Sequence, residues 1–335
     1  MSDPTAATKI SVIVCTRDRH ETICQALESI IECDYRCFDL HVMDQSTNDL
    51  TRRAVEALAV EHAQRCRLHY HHLDKAGLSR AYNLGMQHSD GVLIAFTDDD
   101  CIVPPDWLAQ IAAAFREDPE AGLLYGQVLV PASLHEQEAA GNVVPALPIR
   151  RPERLSQRDG FKVFGMGANM AIRRSLLDRV VGFDEAMGGG GPLRSSQDFD
   201  FAYRTYLSGM AILLVPEVRV DHYGVRTRAQ WPATLEAYGI GDGAFYGKHI
   251  RCGDRRALWL LGKILVRSWA REVRRTARDR SWAPDIYGRN LLVGVRRGAA
   301  FDIDRKHRLY RESARAKLTV TEANTVTATR RRSKK

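Results

Sequence analysis

The stretch GVLIAFTDDDCIVPPDWL, residues 91–108, decides the architecture expected for this chain. Its β-branched and apolar residues from 92 to 97 predict an interior strand. The prolines at 104 and 105 exclude a longer strand and suit the first turn of a helix. The strand should therefore end on three consecutive carboxylates, Asp98, Asp99 and Asp100.

Three adjacent carboxylates repel one another, and a bound divalent cation would offset that repulsion. Hard oxygen ligands of this kind suit Mg²⁺ or Mn²⁺. A solvated acidic turn that caps the next helix at Asp106 is the alternative for an isolated acidic run. Because the preceding strand is apolar on both faces, we expect it to be interior and the aspartates to line a cleft that binds metal.

Strand and helix patterns alternate on both sides of this stretch. Apolar runs predict further strands at 10–15, 40–43, 69–73, 123–130 and 213–220. Helical spacing predicts helices at 21–33, 54–63, 78–88, 105–116, 174–181 and 199–207. The alternation predicts an α/β fold with a mostly parallel sheet, helices on both faces, and ligands beyond the carboxyl ends of the strands. Thr16, Asp44 and Asp98 fall at such ends.

The composition is that of a soluble globular protein, with 44% hydrophobic and 27% charged residues in a chain of 335. Its longest apolar runs are far short of the roughly 20 residues that cross a bilayer. Residues 1–10 lack the basic start and apolar core of a signal peptide. We therefore expect a cytoplasmic protein.

Neither the cysteines nor the histidines between residues 62 and 88 are expected to hold a metal. The seven cysteines are scattered, and Cys33 and Cys37 have no matching second pair, which predicts reduced thiols. Five histidines occur between residues 62 and 88. However, His69, His71 and His72 alternate along one short predicted strand and should point to both of its faces.

The net charge of +8 is unevenly distributed along the chain. Residues 1–249 carry 25 Lys and Arg against 33 Asp and Glu, whereas residues 250–335 carry 24 against 8. The basic part should face something anionic. We therefore expect a main domain over 1–250 and a basic helical extension over 251–335 that ends in a disordered tail.

The basic extension contains an amphipathic helical pattern. On a helical wheel one narrow arc holds Lys263, Arg267, Arg271, Arg274 and Arg278. The opposite side holds Trp259, Leu261, Leu265, Val266, Trp269 and Val273. This pattern is typical of a helix that lies on an anionic membrane surface, and the basic end at 330–335 would add attraction. Packing of the apolar side against the main domain is the alternative.

Several motifs follow one another in a specific order. They are TRDR (16–19), a strand ending in Asp44, AGLSRAYNLG (76–85), the DDD run, GANMAIRR (167–174), GFDE (182–185), QDFDF (197–201) and DH (221–222). Together they resemble the inverting family 2 of nucleotide-sugar-dependent glycosyltransferases, which have a GT-A (Rossmann-like) fold. The resemblance covers residues 10–228, about two thirds of the chain.

The resemblance implies roles for individual residues. It implies a nucleotide-sugar half over about 9–130, in which the donor is bound by Thr16, Arg19, Asp44, Lys75, Arg80, Asn83, Asp98 and Asp99. It implies Mg²⁺ or Mn²⁺ as a cofactor, held by Asp98, Asp100 and His222. It also implies that Asp198, in an acceptor half over about 131–250, is the general base that removes the acceptor hydroxyl proton.

Two positions depart from the family pattern. Tyr82 stands where the family usually has arginine, which puts the contacts to the pyrophosphate in doubt. Gln197 stands where the family usually has glutamate before the aspartate. This change removes a negative charge near Asp198, so like-charge repulsion should raise the pKa of Asp198 less than in the family.

The sequence thus predicts a hexosyltransferase-like enzyme that moves a sugar from a nucleoside diphosphate sugar to a glycan or lipid-linked acceptor with inversion. A cell-envelope acceptor would suit a position at the inner face of the membrane. A nucleotidyltransferase is one alternative, but it would need a glycine-rich phosphate loop where residues 16–22 have no glycine. A non-catalytic protein that binds nucleotide sugars or nucleic acid is another. Nucleic acid is not expected as a partner, because no aromatic residue follows Tyr310 among the basic residues.

Overall fold

The structure is a computed structural model that describes residues 7–161, 165–279 and 285–311. The described residues divide into two compact units, one formed by those within 7–183 and 198–231 and the other by those within 184–197 and 232–311. The basic run at 330–335 lies outside the described residues, so its contribution to membrane binding stays a prediction.

The first unit is built on a central sheet. Its strands are β1 (Ile10–Thr16), β2 (Phe38–Asp44), β3 (Arg67–His72), β4 (Leu93–Asp98), β5 (Cys101–Ile102), β6 (Ala121–Leu129), β7 (Glu153–Leu155), β8 (Asn169–Arg173) and β9 (Ala211–His222). Its helices are α1 (His20–Ile31), α2 (Leu50–Glu61), α3 (Leu78–His88), α4 (Trp107–Glu117), α5 (His135–Ala139) and α6 (Gln197–Leu207).

The strands lie in the order β3-β2-β1-β4-β8-β6-β9-β5, and β7 pairs with the outer side of β9. The first four strands in this order run parallel to one another; they are β3, β2, β1 and β4. β6 and β9 also form a parallel pair. β8 runs antiparallel between β4 and β6. The predicted α/β fold with a mostly parallel sheet is confirmed.

The main hydrophobic core fills the space between one face of this sheet and the helices α1 and α4. Val12 and Val14 of β1 and Leu40 and Val42 of β2 are fully buried in it, together with Trp107 of α4. Alternate residues of each strand face this core, and the residues between them are covered on the other face, which is why continuous apolar runs predicted the strands.

One predicted helix is much shorter than expected. Residues 174–181 form only a 3₁₀ turn at Arg174–Asp178. The Arg174 guanidinium donates to the carbonyl oxygens of Gly91 and Met86, and its backbone N–H donates to Val92. These bonds fix the segment against the start of β4, and Gly182, at φ +38°, then redirects the chain.

Three of the histidines between 62 and 88 take part in one ring stack, although the alternation along β3 argued that they point to both faces. His69 and His71 lie two residues apart on β3 and therefore share a face, while alternation separates His72 from them. Their rings stack with His41 of β2 and His88 of α3, with centroids between 4.6 and 5.5 Å apart. The prediction considered β3 alone, whereas the cluster is built by the neighbouring strand and helix.

The second unit is mainly helical. It contains α7 (Trp231–Arg251), α8 (Arg255–Asp279), α9 (Ile286–Gly298) and a hairpin of β10 (Asp302–Asp304) and β11 (Leu309–Arg311). Among the described residues, no helix is both long and apolar enough to cross a bilayer.

The predicted amphipathic helix is α8, but its apolar residues occupy two faces rather than one. Leu261 is buried, on the same face as Ala257 and Ser268. The exposed large residues are Leu258, Trp259, Val266, Trp269 and Val273. In the predicted basic arc, Arg271 is engaged in an ion pair with Asp285 at 2.9 Å. A helical wheel cannot show which part of a broad apolar surface packs inward.

A buried ion pair holds the second unit together. Lys248 Nζ donates to Asp184 Oδ2 at 2.6 Å, and both side chains are fully buried. The same carboxylate oxygen accepts the backbone N–H of Tyr310 at 2.8 Å. The pair thereby links α7 to the terminal hairpin.

We expect Lys248→Met to lower the free energy of unfolding by about 3–5 kcal/mol, because it leaves the buried Asp184 charge without its cation. Urea unfolding followed by circular dichroism measures this loss. The control is Arg194→Met, which breaks an exposed pair with Glu236 (2.8 Å) and should cost at most about 1 kcal/mol. Equal losses in the two variants would contradict the role given to the buried pair.

Candidate active site

The acidic run lies at the carboxyl edge of the sheet. β4 ends at Asp98, and the chain then turns before β5. As a result, atoms of Asp98, Asp100, Cys101 and His222 that could ligate a metal all lie within 4.8 Å of one another. Residues from two distant parts of the chain thus form one compact group.

β9 delivers His222 to this group. Its end pairs antiparallel with β5, which places His222 opposite Cys101. His222 Nε2 lies 3.3 Å from Asp100 Oδ1, and Nδ1 lies 2.8 Å from the carbonyl oxygen of Pro145. With Nδ1–H donating to that carbonyl, Nε2 is the ring nitrogen that faces the carboxylates.

Asp99 points to the other side of the turn. Its carboxylate accepts hydrogen bonds from the Thr16 hydroxyl at 2.7 Å and from Arg19 at 2.8 Å. The same Arg19 nitrogen donates to Asp100 at 2.8 Å. Thr16 and Arg19 therefore fix the acidic run directly, in addition to any contact that they make with a nucleotide.

The surroundings shift the pKa values of Asp98 and Asp100 in opposite directions. Burial, followed by the charge of Asp100, raises the pKa of Asp98. Burial also acts to raise the pKa of Asp100, but His222 and Arg19 bring it below its ordinary value. The Tyr82 hydroxyl lies 3.5 Å from Asp98, and burial raises its pKa well above 10, so it stays a neutral phenol there.

The donor set fits a hard divalent cation. Asp98 and Asp100 supply carboxylate oxygens and His222 supplies a nitrogen. Burial, followed by the charge of Asp100, raises the pKa of Asp98, and a bound cation would offset both effects. Burial raises the pKa of the Cys101 thiol well above its ordinary value, so it stays protonated and contributes no charge. Mg²⁺ or Mn²⁺ suits such ligands better than a softer metal does.

Asp44 lies at the end of the neighbouring parallel strand, in register with Thr16. It is fully buried, and its carboxylate accepts hydrogen bonds at 2.8 Å from the backbone N–H of Ser46 and from the Tyr70 hydroxyl. These two bonds fix its orientation and leave further acceptor capacity, since a carboxylate can accept about four hydrogen bonds.

The start of α3 is held beside the end of β2. The Gly77 N–H donates to Gln45 Oε1 at 2.7 Å, which positions the segment that carries the exposed Lys75 and the half-buried Arg80. Asn83 lies on the same helix. Its side-chain amide bonds both the N–H and the carbonyl of Phe183, at 2.7 and 3.0 Å, and its contact with a donor stays a prediction.

Asp198 lies in the first turn of α6, in the same unit as the acidic run. Its carboxylate accepts the N–H groups of Gly167 at 2.8 Å and Phe199 at 2.9 Å. Burial raises its pKa although both bonds oppose the shift. Its charge in turn contributes to the raised pKa of Asp98, so the two carboxyls share one electrostatic environment.

Two residues of this site were not foreseen from the sequence. Cys101 joins the group because it directly follows the acidic run. Gly224 passes so close that a Cβ there would lie 2.7 Å from both Asp100 Oδ2 and His222 Nε2. A glycine two residues after the DH motif was a possible signal, but only the packed structure shows what it approaches.

A family model and a named relative both match this chain in sequence. The family model described as glycosyl transferase family 2 matches residues 11–181, slightly more than half of the chain. A relative from Haloferax volcanii, named glucosyl-dolichyl phosphate glucuronosyltransferase, is 23% identical over 245 residues, which are 67% of this chain and 72% of that protein.

Solved structures share the fold. The mannosyltransferase PcManGT from Pyrobaculum calidifontis, in complex with GDP-Man and Mn²⁺, has a TM-score of 0.57 at 23% identity, over 74% of this chain and 66% of that one. TarS 1–349 from S. aureus, in complex with UDP-GlcNAc, has a TM-score of 0.51 at 17% identity, over 70% of this chain and 66% of that one. The alignments thus span about two thirds of these solved chains.

We expect Gly224→Ala to weaken Mn²⁺ binding at least about tenfold, because the added methyl group must displace Asp100 or His222, and displaced ligand supports typically cost 10- to 100-fold in affinity. Calorimetric titration with Mn²⁺ measures the loss. Gly189→Ala is the matched control, since a Cβ there meets nothing within 4 Å. Wild-type affinity in Gly224→Ala would show that the close approach does not matter for the metal.

Proposed function

Because the chain belongs to glycosyl transferase family 2 and is therefore a glycosyltransferase, we propose that it moves a hexose from a nucleoside diphosphate sugar to an acceptor hydroxyl with inversion. Family membership argues against the nucleotidyltransferase and the non-catalytic binding protein. The observation that carries the proposal is the convergence of Asp98, Asp100, His222 and Asp198 at one edge of the sheet in a single unit.

Asp98, Asp100 and His222 are the residues that would hold the metal. When bound, Mg²⁺ or Mn²⁺ neutralises the charge that develops on the leaving nucleoside diphosphate. Arg19 is the movable cation of this group, because its side chain is partly exposed while its guanidinium bridges Asp99 and Asp100. It would turn from the carboxylates to the base and ribose of the donor.

Asp198 is the residue that we assign as the general base. A base works best when its pKa approaches the operating pH, and burial shifts the pKa of Asp198 in that direction. The hydrogen bonds from Gly167 and Phe199 hold its carboxylate in one orientation, so that it can receive the acceptor proton without rearrangement. Direct attack by the deprotonated hydroxyl inverts the anomeric carbon.

The remaining donor contacts follow from the strand ends. Asp44 would accept from the edge of the base, and Thr16 and Arg19 would lie beside base and ribose. Lys75 and Arg80, on the segment held at the end of β2, would face the ribose and pyrophosphate. The corresponding contact of Asn83 stays a prediction, since its amide is bonded to Phe183.

We further propose that the acceptor is lipid-linked and that the enzyme works in the cytoplasm at the inner face of an anionic membrane. The exposed strip of α8 supports this. Trp259, Val266 and Trp269 are each more than 60% exposed and share one side of the helix with Leu258 and Val273. An apolar strip of this size on a helix surface is typical of an interfacial helix.

Basic residues beside the strip favour an anionic partner. Lys263, Arg267 and Arg274 are exposed along its border, and Lys263 Nζ lies 4.8 Å from the centre of the Trp259 ring. Each basic residue near an anionic surface adds about 1 kcal/mol of attraction. The name of the Haloferax relative, which includes a dolichyl phosphate, agrees with a lipid-linked acceptor.

We expect Asp198→Asn to lower the transfer rate roughly 10²- to 10⁴-fold while donor binding stays near the wild-type value. Because the pKa of Asp198 is raised, the wild-type rate should fall as the pH is lowered through that raised pKa, where the base becomes protonated. The measurement is release of nucleoside diphosphate from a panel of nucleotide sugars with Mg²⁺ or Mn²⁺, with and without EDTA, in the presence of candidate acceptors.

The matched control for this substitution is Asp221→Asn, an aspartate of β9 that is not in the metal group. It should keep its activity. Wild-type turnover in Asp198→Asn would require another base. Failure of every donor to give EDTA-sensitive release would count against the proposed reaction itself.

We expect Trp259→Ala with Trp269→Ala to reduce flotation with phosphatidylserine vesicles at least about tenfold, because each buried large side chain contributes roughly 1.5–3 kcal/mol. High salt should reduce wild-type flotation as well, through screening of the basic border. Val60→Ala, at an 81% exposed valine of α2, is the control for loss of exposed apolar surface. Flotation that ignores lipid charge and both tryptophans would contradict the membrane proposal.

A further inference from the structure

The imidazole cluster, formed by His41, His69, His71 and His88, lies far from the acidic run. The cluster lies beside Asp39 at the start of β2. Asp39 is five residues before Asp44, which corresponds to roughly 16 Å along an extended strand. His41 lies opposite His69 in the β2–β3 register, and Asp39 is two residues from His41 on the same face. The catalytic chemistry described above uses none of these side chains.

Two polar atoms in this region are buried without a hydrogen-bond partner among the described residues, Asp39 Oδ1 and His41 Nε2. Both side chains are at least 95% buried. The two atoms lie 3.3 Å apart, but the contact does not have the geometry of a hydrogen bond. Buried polar atoms almost always have a partner, so this pair calls for a third group between them.

The spacing of the pair matches one kind of group. Zn²⁺ binds nitrogen and carboxylate oxygen at about 2.0–2.2 Å in tetrahedral geometry, which separates neighbouring ligands by about 3.3–3.5 Å. The ligand atoms of Asp39, His41 and His69 all lie within 4.8 Å of one another. His69 is exposed on the edge strand β3, so a small rotation of its side chain can bring its nitrogen to tetrahedral distance.

The neighbours of Asp39 leave the required oxygen available. Lys9 Nζ lies 2.7 Å from Asp39 Oδ2, the oxygen that is not part of the unpaired contact. This ion pair fixes the carboxylate so that Oδ1 points to His41. Lys9 keeps more than a third of its side-chain surface exposed, so its ammonium can move outward if a cation binds.

We propose that Asp39 Oδ1, His41 Nε2 and His69 form a second metal site, which takes a d-block cation of the Zn²⁺ class with water as the fourth ligand. Its two imidazoles select against Mg²⁺ and Mn²⁺, which the acidic run prefers. The bound cation joins β3, the edge strand, to β2. The site therefore stabilises the nucleotide-binding half without taking part in transfer.

The test is calorimetric titration of the full chain with Zn²⁺, together with the visible absorption of bound Co²⁺, which reports tetrahedral nitrogen ligation. All proteins carry Asp100→Ala and His222→Ala, so that the acidic run does not contribute. In this background we expect Zn²⁺ binding, and we expect His69→Ala to weaken it at least about tenfold. His72→Ala, at the histidine of β3 that lies on the opposite face from His69, is the matched control and should bind Zn²⁺ unchanged.

Absence of Zn²⁺ binding in the background protein would overturn the proposal. Equal binding with and without His69→Ala would also overturn it. Mn²⁺ binding by the His69→Ala single variant, with the acidic run intact, verifies the fold. If the alanine variant is unstable, His69→Gln keeps the size of the side chain and removes the metal ligand, and the same two outcomes decide.

Discussion

The repulsion among three carboxylates in sequence is the constraint on which the rest of the first unit depends. Asp98, Asp99 and Asp100 could not share a turn at the end of a buried strand unless positive or hydrogen-bonding groups surrounded them. Arg19 from the end of β1 and His222 from the end of β9 supply those groups. The sheet order brings both strand ends to the same edge, so fold and charge balance are parts of one arrangement.

Much of this arrangement could be predicted from local patterns. The apolar, β-branched run over 92–97 predicts the strand at Leu93–Asp98, and the helical spacing of apolar residues predicts the helix at Leu78–His88. The features that the sequence analysis missed depend on residues that lie far apart in the sequence. The stack of His41 on His69 needs the β2–β3 register, and the approach of Gly224 to Asp100 needs the β5–β9 pairing. Likewise, whether Leu261 or Trp259 faces inward depends on what α8 packs against.

The two proposed metal sites show how one sheet can separate two kinds of cation. Oxygen ligands gather at the carboxyl end of β4, where a parallel sheet places its ligands, and nitrogen ligands gather at the opposite end of β2. Because carboxylate-rich and imidazole-rich sites prefer different metals, occupation of one need not compete with the other. The first would serve the reaction and the second the edge of the sheet.

The antiparallel direction of β8 affects how the substrate range of this glycosyltransferase can change. Since β8 runs against β4 and β6, its first residue, Asn169, lies at the edge where those strands end. The chain leaves the sheet after Leu129 at this edge, adds the short strand β7 to the outer side of β9, and starts β8 again at the same edge. Insertions before β7 can lengthen this excursion at little entropic cost and without shifting any strand register. Loop growth alone could therefore change the acceptor of the proposed reaction, while Gly167 keeps its hydrogen bond to Asp198, the proposed base.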